Sequence, residues 1–172
     1  MSLRNRRMDA EWTLLEKLAE ANQRVLARIA RCDWGFFVEL RDSPAWMGAD
    51  GRQWMEREHA LRYVFPRYYP ALPLEGYLER PVLHPNVDPA NGFVCLWKRY
   101  RTQQTIVDAV AMTRAVLSWS AVNPDTQHCM QTVRRFEPLE KPELVIPAAC
   151  WAATNSSGER RRLSNSYTDS TL

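Results

Sequence analysis

Proline is concentrated in one stretch of this chain, between residues 65 and 89. Six of the eleven prolines in the 172-residue sequence fall within these 25 residues. Because proline lacks a backbone donor and clashes with a preceding helical turn, this density excludes a helix here and allows only a short strand, which we place at Leu74 to Val82. The middle of the chain is therefore predicted to be an irregular crossing between more regular segments.

The segment before this crossing divides into a helical part and an extended part. Apolar residues recur at spacings of three and four between residues 8 and 31, which predicts one long helix with Asp9 as its N-cap. The stretches GFFVELRDSPAW and RQWMEREHALRYVFP follow, and their patterns predict two antiparallel strands of a meander. Asp50-Gly51 lies between them and is a turn signal.

The segment after the crossing is predicted to be mainly helical. A brief extended piece is expected at Gly92 to Leu96, and residues 105 to 119 have the pattern of a helix that Thr102 or Thr105 can cap. Asn123-Pro124-Asp125 ends this element and is placed to cap a short last helix through Arg135.

These segments predict an α+β fold, with an N-terminal helix and helices on one side of an antiparallel sheet. Residues 154 to 172 are rich in Ser, Thr, Asn and Arg, as is typical of disordered chain. We therefore predict one domain at residues 1 to 153, which carries the function, and a disordered tail at 154 to 172.

The charge distribution argues against nucleic acid as a partner. The net charge is +3, but residues 4, 6 and 7 supply three positive charges and residues 159 to 172 a net one, which leaves −1 for residues 8 to 158. No apolar run approaches the ~18 residues of a membrane span, and no apolar segment follows the first arginines. We expect a soluble, cytoplasmic protein that binds no membrane.

The four cysteines do not have the spacing of a metal site. Cys32, Cys95, Cys129 and Cys150 form no CxxC pair, and the three histidines are far apart in sequence. We therefore predict no metal and no cofactor. In a cytosolic protein these residues are expected to be reduced thiols, and Cys32, Cys129 and Cys150 are expected to be small buried core residues.

Cys95 differs from the other cysteines because it lies among several short motifs that occur in a characteristic order. The motifs are Phe65-Pro66 with Tyr69-Pro70 and Pro73, then His84-Pro85-Asn86, then Gly92 with Cys95-Leu96, and finally Asn123-Pro124-Asp125. Together they resemble the FPxxYPxxPP, HPN, active-site cysteine and NPDD segments of ubiquitin-conjugating enzymes. The resemblance covers about residues 8 to 135. It implies the fold of that family: an N-terminal helix, a meander sheet, an active-site loop and then helices.

The resemblance also implies roles for individual residues. Cys95 is the expected nucleophile, because a carrier that accepts an acyl group and passes it to an amine needs a thiolate. Asn86 is the expected donor to the oxyanion formed during transfer, and it also stabilises its turn. His84 and Pro85 are expected to be structural. Asp125 is the carboxylate expected to orient or deprotonate the incoming lysine.

Several positions depart from the pattern of the family. One extra residue separates Asn86 from Cys95, Trp97 stands where an aspartate is common, and Thr126 replaces the second acid of NPDD. The C-terminal part lacks two long helices and is therefore predicted to be shortened. With these departures the chain looks like the stand-alone bacterial members of the family that are associated with antiphage defence.

That likeness implies the partners. Such proteins carry the C-terminus of a ubiquitin-like protein, or that of a nucleotidyltransferase in cyclic-oligonucleotide signalling, and transfer it to an amine of a target protein. The chain has no Gly-rich ATP-binding loop, so it needs a separate activating enzyme or a self-sufficient transfer. Two alternatives remain open: a non-catalytic binding module of the same fold, and a thiol hydrolase that cleaves conjugates.

Overall fold

A computed structural model describes residues 2–124 and 135–154 of the chain. The helices are α1 (Leu3–Ala21), α2 (Ile106–Leu117) and α3 (Ala148–Thr154). The strands are β1 (Leu26–Cys32), β2 (Gly35–Leu40), β3 (Ala45–Ala49), β4 (Arg52–Glu56), β5 (His59–Val64), β6 (Glu75–Leu78) and β7 (Phe93–Val94). The fold is α+β, with an N-terminal helix and an antiparallel sheet, as predicted.

The main sheet is an antiparallel meander. Its strand order is β1-β2-β5-β6-β7, and β3 and β4 form a separate two-stranded hairpin. The predicted turn at Asp50-Gly51 joins the two strands of this hairpin. Val38 and Leu61 face each other across β2 and β5 and are completely buried, so the centre of the sheet forms the floor of the core.

The predicted helix over residues 8 to 31 is wrong at both ends. The helix begins at Leu3, where the Ser2 hydroxyl accepts a hydrogen bond from the Asn5 amide, so Ser2 rather than Asp9 is the N-cap. It ends at Ala21, because the backbone of the next residue, Asn22, is no longer helical. The Asn22 side chain instead binds both backbone groups of Val145: its Nδ2 donates to the carbonyl at 2.7 Å, and its Oδ1 accepts from the amide at 2.8 Å.

Residues 26 to 32 form strand β1 instead of continuing the helix. Leu26 and Ile29 are three positions apart, which fits a helix face, but the whole segment pairs with β2 through the short turn at Asp33-Trp34. This hairpin satisfies the backbone donors and acceptors of both strands, and that tertiary pairing outweighs the local helical spacing.

The proline-rich crossing is irregular, as predicted. Residues 65 to 74 contain neither helix nor strand, and the strand expected at 74 to 82 is limited to Glu75–Leu78. Two aromatic side chains of this crossing turn inward: Phe65 and Tyr69 are buried, and their rings meet edge to face at 4.8 Å between centroids. These two rings attach the crossing to the core.

Helix α2 confirms the helix predicted at residues 105 to 119, with slightly shorter ends. Thr105 is its N-cap, and the Asp108 carboxylate accepts hydrogen bonds from the Thr105 amide at 2.7 Å and from its hydroxyl at 3.1 Å. Ile106 and Val110 on α2 are completely buried, as are Leu15 and Leu18 on α1, so these two helices and the sheet enclose one core.

Part of the C-terminal prediction lies outside the described residues. The short helix expected from Asn123 through Arg135 and most of the tail from residue 154 belong to this part. Within the described residues, the C-terminal segment supplies α3, which contacts α1. None of the described helices combines the length and the apolar character that crossing a membrane requires.

Candidate active site

Cys95 is partly exposed and directly follows strand β7. The backbone amide of Cys95 donates a hydrogen bond to the Asn86 carbonyl at 2.8 Å. Val94, one residue earlier, pairs with Gly76 of β6 on one side and forms a bridge with Val87 on the other. The backbone at the thiol is therefore held on both sides, by the sheet and by the turn that contains His84, Pro85 and Asn86.

The glycine of the cysteine motif has a steric reason. Gly92 has φ +74, and a Cβ at this position would lie 2.0 Å from the carbonyl oxygen of Leu78. That close approach lets the Leu78 amide donate to the Gly92 carbonyl at 2.8 Å, which starts the pairing of β7 with β6. Only glycine combines this conformation with this contact.

The loop between Asn86 and Cys95 is stabilised by hydrogen bonds among its own polar groups. It is one residue longer than the common spacing in ubiquitin-conjugating enzymes. The Asp88 carboxylate accepts from the Ala90 amide, and the Asn91 side chain accepts from the Phe93 amide, both at 2.8 Å. The Asp88 amide also donates to the Phe93 carbonyl. The longer loop therefore forms ordered turns before it delivers the chain to Cys95.

His84 is a buried, neutral side chain below the turn. Its Nδ1 accepts a hydrogen bond from the Asn86 amide at 3.0 Å, which assigns the ring proton to Nε2. The ring packs against Trp119 with 4.6 Å between centroids, and burial lowers the pKa of His84 to about 4, although the nearby Ala121 backbone favours the protonated form. These contacts suit a structural residue better than a general base at neutral pH.

Asn86 connects the turn to the segment that follows α2. Its Oδ1 accepts from the Asn123 amide at 2.7 Å, and its Nδ2 donates to the Asn123 carbonyl at 2.6 Å. Asn86 is completely buried. The structure therefore brings the predicted residues His84, Pro85 and Asn86 beside Cys95, and Asn123 joins them. Asp125, two residues further on, lies outside the described residues.

The loop that leaves Cys95 is attached to the proline-rich crossing by two aromatic side chains. The indole Nε1 of Trp97 donates to the Leu74 carbonyl at 3.1 Å, and the hydroxyl of Tyr100 donates to the Pro70 carbonyl at 2.8 Å. Both side chains are partly buried. The position where the family often has aspartate thus holds a tryptophan that anchors the loop.

A buried carboxylate on α1, which the sequence analysis missed, holds the far end of this loop. Glu11 is 1% exposed; its Oε1 accepts from the Tyr69 hydroxyl at 2.7 Å and from Arg7 Nε at 3.1 Å, and its Oε2 accepts from the Ile106 amide at 2.7 Å. Burial raises the pKa of Glu11, although these hydrogen bonds lower it in part. The available signal was an acidic residue among Met8, Leu15 and Leu18 on the buried face of the helix.

The other cysteines do not share this environment. Cys150 is buried, as predicted, whereas Cys32 is half-exposed and Cys129 lies outside the described residues. No group of three or more His, Cys, Asp or Glu side chains in the described ranges is arranged to hold a metal ion.

Comparisons with known proteins give no assignment. The chain matches no protein-family model, and neither a curated protein nor a solved structure is significantly similar to it. The likeness to ubiquitin-conjugating enzymes therefore depends on the sequence motifs alone.

Proposed function

We propose that this protein is a ubiquitin-conjugating-like acyl carrier that uses Cys95 as its nucleophile. The observation that carries the proposal is the placement of Cys95: a partly exposed cysteine on a backbone fixed to Asn86, beside a buried His-Pro-Asn turn. A nucleophile needs an accessible sulfur on a rigid backbone, and the core packing role expected for a cysteine needs neither.

The proposed reaction has two steps. The Cys95 thiolate attacks the activated C-terminal carbonyl of the carried protein, a carbon–sulfur bond forms, and the activating group leaves. A lysine amine of the target then attacks the thioester, a carbon–nitrogen bond forms, the amine loses a proton, and the Cys95 sulfur leaves as thiolate. No metal or cofactor takes part in either step.

The architecture around the thiol supports the family as well as the chemistry. An N-terminal helix packs with an antiparallel meander, a proline-rich crossing follows β5, and the turn at His84 precedes the cysteine. We propose that these elements form the fold of ubiquitin-conjugating enzymes. The carried group is then the C-terminus of a ubiquitin-like protein or of a nucleotidyltransferase, and the setting is bacterial antiphage defence.

We assign a structural role to Asn86 before any catalytic one. Its carboxamide binds both backbone groups of Asn123, so it fixes the segment beyond α2 against the turn that supports Cys95. Stabilisation of the oxyanion additionally requires an Nδ2 hydrogen to point at the thioester carbonyl. Asp125 remains the predicted carboxylate for the incoming lysine.

The experiment that tests the proposal traps the carried group. Cys95→Ser and Cys95→Ala are purified from the native host, and their intact masses are measured. Because an oxyester on serine turns over more slowly than a thioester, we expect an added mass on the serine variant that mild base removes. The size of that mass identifies the carried protein.

The alanine variant is the matched control, since it has no nucleophile at this position. An adduct on both variants would place the attachment elsewhere in the chain. Absence of any adduct, even with candidate partners and ATP supplied, would contradict the carrier and favour the binding module. Release of a preformed conjugate by the wild-type protein would favour the hydrolase instead.

A further inference from the structure

The two loops that meet downstream of Cys95 carry a strong positive charge. Residues 65 to 74 contain Arg67 as their one charged side chain, and residues 96 to 105 contain only the charged residues Lys98, Arg99 and Arg101. Neither segment has an Asp or Glu. These 20 residues therefore carry +4, and the other 152 residues of the chain sum to −1.

The two loops that carry these charges are neighbours in the fold. The hydrogen bonds from Trp97 to Leu74 and from Tyr100 to Pro70 hold the two loops together. Trp97 and Tyr100 are partly buried, whereas all four cations are exposed. We call the surface formed by Arg67, Lys98, Arg99 and Arg101 the basic loop surface.

Apolar groups lie within the same surface. Tyr68 is 64% exposed, with the Arg67 guanidinium 5.6 Å from the centre of its ring, and Leu72 is 49% exposed. Glu75, at the start of β6, accepts a hydrogen bond from the Tyr77 hydroxyl at 2.8 Å. The surface thus offers cations and exposed apolar side chains to an extended peptide.

We infer that the basic loop surface receives an acidic segment at the C-terminus of the carried protein. This inference rests on the proposed function. Lys98 and Arg101 are three and six residues from Cys95, so their backbones lie within about 10 and 20 Å of it along an extended chain. The last residues of a protein held as a thioester on Cys95 have the same reach, which is long enough for them to contact these cations.

We assign this surface to the carried protein, not to the acceptor, because the carried protein is covalently attached to Cys95. While the thioester exists, the residues before its carbonyl stay near the surface at high effective concentration. An acceptor lysine approaches only for the transfer, so the basic loop surface is close to the donor for longer than to the acceptor. Attraction between opposite charges also raises the rate of encounter before the thioester forms.

The test uses synthetic peptides and needs no activating enzyme. Short peptides that end in Gly-Gly are made as ethyl thioesters in glutamate-rich, glutamine-rich and lysine-rich forms. Each is mixed with the full chain, and transfer to Cys95 is followed by intact mass. The thiolate displaces ethanethiol in an exchange of one thioester for another, with no change of oxidation state. The Cys95→Ala variant measures the background from the other cysteines.

We expect the glutamate-rich peptide to load about tenfold faster than the lysine-rich peptide at low salt, with the ratio falling as salt is added. The Arg99→Glu/Arg101→Glu variant brings the charge of the two loops from +4 to zero and should abolish this preference. The matched control Arg52→Glu/Arg57→Glu makes the same change of charge at exposed positions of the β4 region and should keep it.

The outcomes separate the two proposals. If no peptide loads onto Cys95 above the alanine background, the proposed function itself fails. If all three peptides load at equal rates, the proposed acyl-carrier function is retained, and the inference that the basic loop surface binds an acidic segment is wrong. A further reaction loads the glutamine-rich peptide and offers acidic or basic lysine peptides as acceptors. A charge preference confined to that transfer step would also overturn the assignment to the donor.

Discussion

Two buried polar networks flank Cys95, and they differ in charge. On the upstream side, the neutral network consists of His84, Asn86 and the backbone of Asn123. On the downstream side, the ionic network has the Glu11 carboxylate at its centre, with the Arg7 guanidinium, the Tyr69 hydroxyl and the Ile106 amide around it. Both join segments that are far apart in sequence, so each fixes one end of the region around the thiol.

The difference in charge gives the two networks opposite responses to pH. Burial lowers the pKa of His84, so the unfolded chain takes up a proton first and the fold loses stability as the pH falls. Burial raises the pKa of Glu11, so the folded chain keeps its proton longer and the fold loses stability as the pH rises above the ordinary value of 4.5. The upstream network is therefore weakened as the pH falls, and the downstream network is weakened as the pH rises above 4.5.

The largest effect is expected from Glu11→Ala. This change leaves the Tyr69 hydroxyl and the Ile106 amide without their acceptor and removes the counter-ion of Arg7, so it should lower the free energy of unfolding by about 4 kcal/mol. Urea denaturation at pH 7 measures it. Glu16→Ala, an exposed position of the same helix, should change stability by less than about 0.5 kcal/mol. A loss at Glu11 no larger than that of the control would mean that the carboxylate does not hold these segments together.

Asn86→Ala should break the neutral network with a somewhat smaller effect. The Asn123 amide and carbonyl both lose their partner in a buried place, which predicts a loss of about 3 kcal/mol in the free energy of unfolding. Exposed Asn5 provides the control as Asn5→Ala. Denaturation midpoints that coincide for Asn86→Ala and the wild type would contradict the structural role and leave only the oxyanion role for this side chain.

Acid should weaken the neutral network through His84. With a pKa of about 4 in the fold and 6.5 in the unfolded chain, His84 makes the fold about 2 kcal/mol less stable at pH 5 than at pH 8. His84→Gln keeps an acceptor for the Asn86 amide and cannot be protonated, so its stability should fall less over this range. Equal losses for the variant and the wild type would show that His84 does not contribute to the acid response.

The regular elements could be predicted from the sequence where local pattern and tertiary environment agree. Helix α2 was found because its apolar spacing and its N-cap Thr105 indicate the same structure. The sequence predicts helix in place of strand β1 because Leu26 and Ile29 are three positions apart, which is the spacing of a helix face. The deciding interaction is its pairing with β2, and neighbouring strands of a hairpin are not visible in the periodicity of one of them.

The candidate site follows the same division. His84, Asn86 and Cys95 lie within a dozen residues, so a linear motif could place them together, and the structure does so. Glu11 could not be placed in this way, because Tyr69 is 58 residues away and Ile106 is 95 residues away. Contacts of that range depend on how α1 packs against the crossing and α2, and no local spacing encodes them.

The smallest effect, and the one that sharpens the contrast between the networks, is expected from Arg7→Gln. Arg7 is partly exposed and favours the charged form of Glu11, so its removal raises the pKa of Glu11 further. The folded chain then holds the proton to a higher pH, and the loss of stability should grow from little at pH 5 to about 1 kcal/mol at pH 8. Urea denaturation at both pH values measures the difference, with exposed Arg6→Gln as the control. A loss of stability that is the same at both pH values would mean that Arg7 contributes by packing alone. The charge of Arg7 would then not stabilise the downstream network, and the contrast in charge between the two networks would disappear.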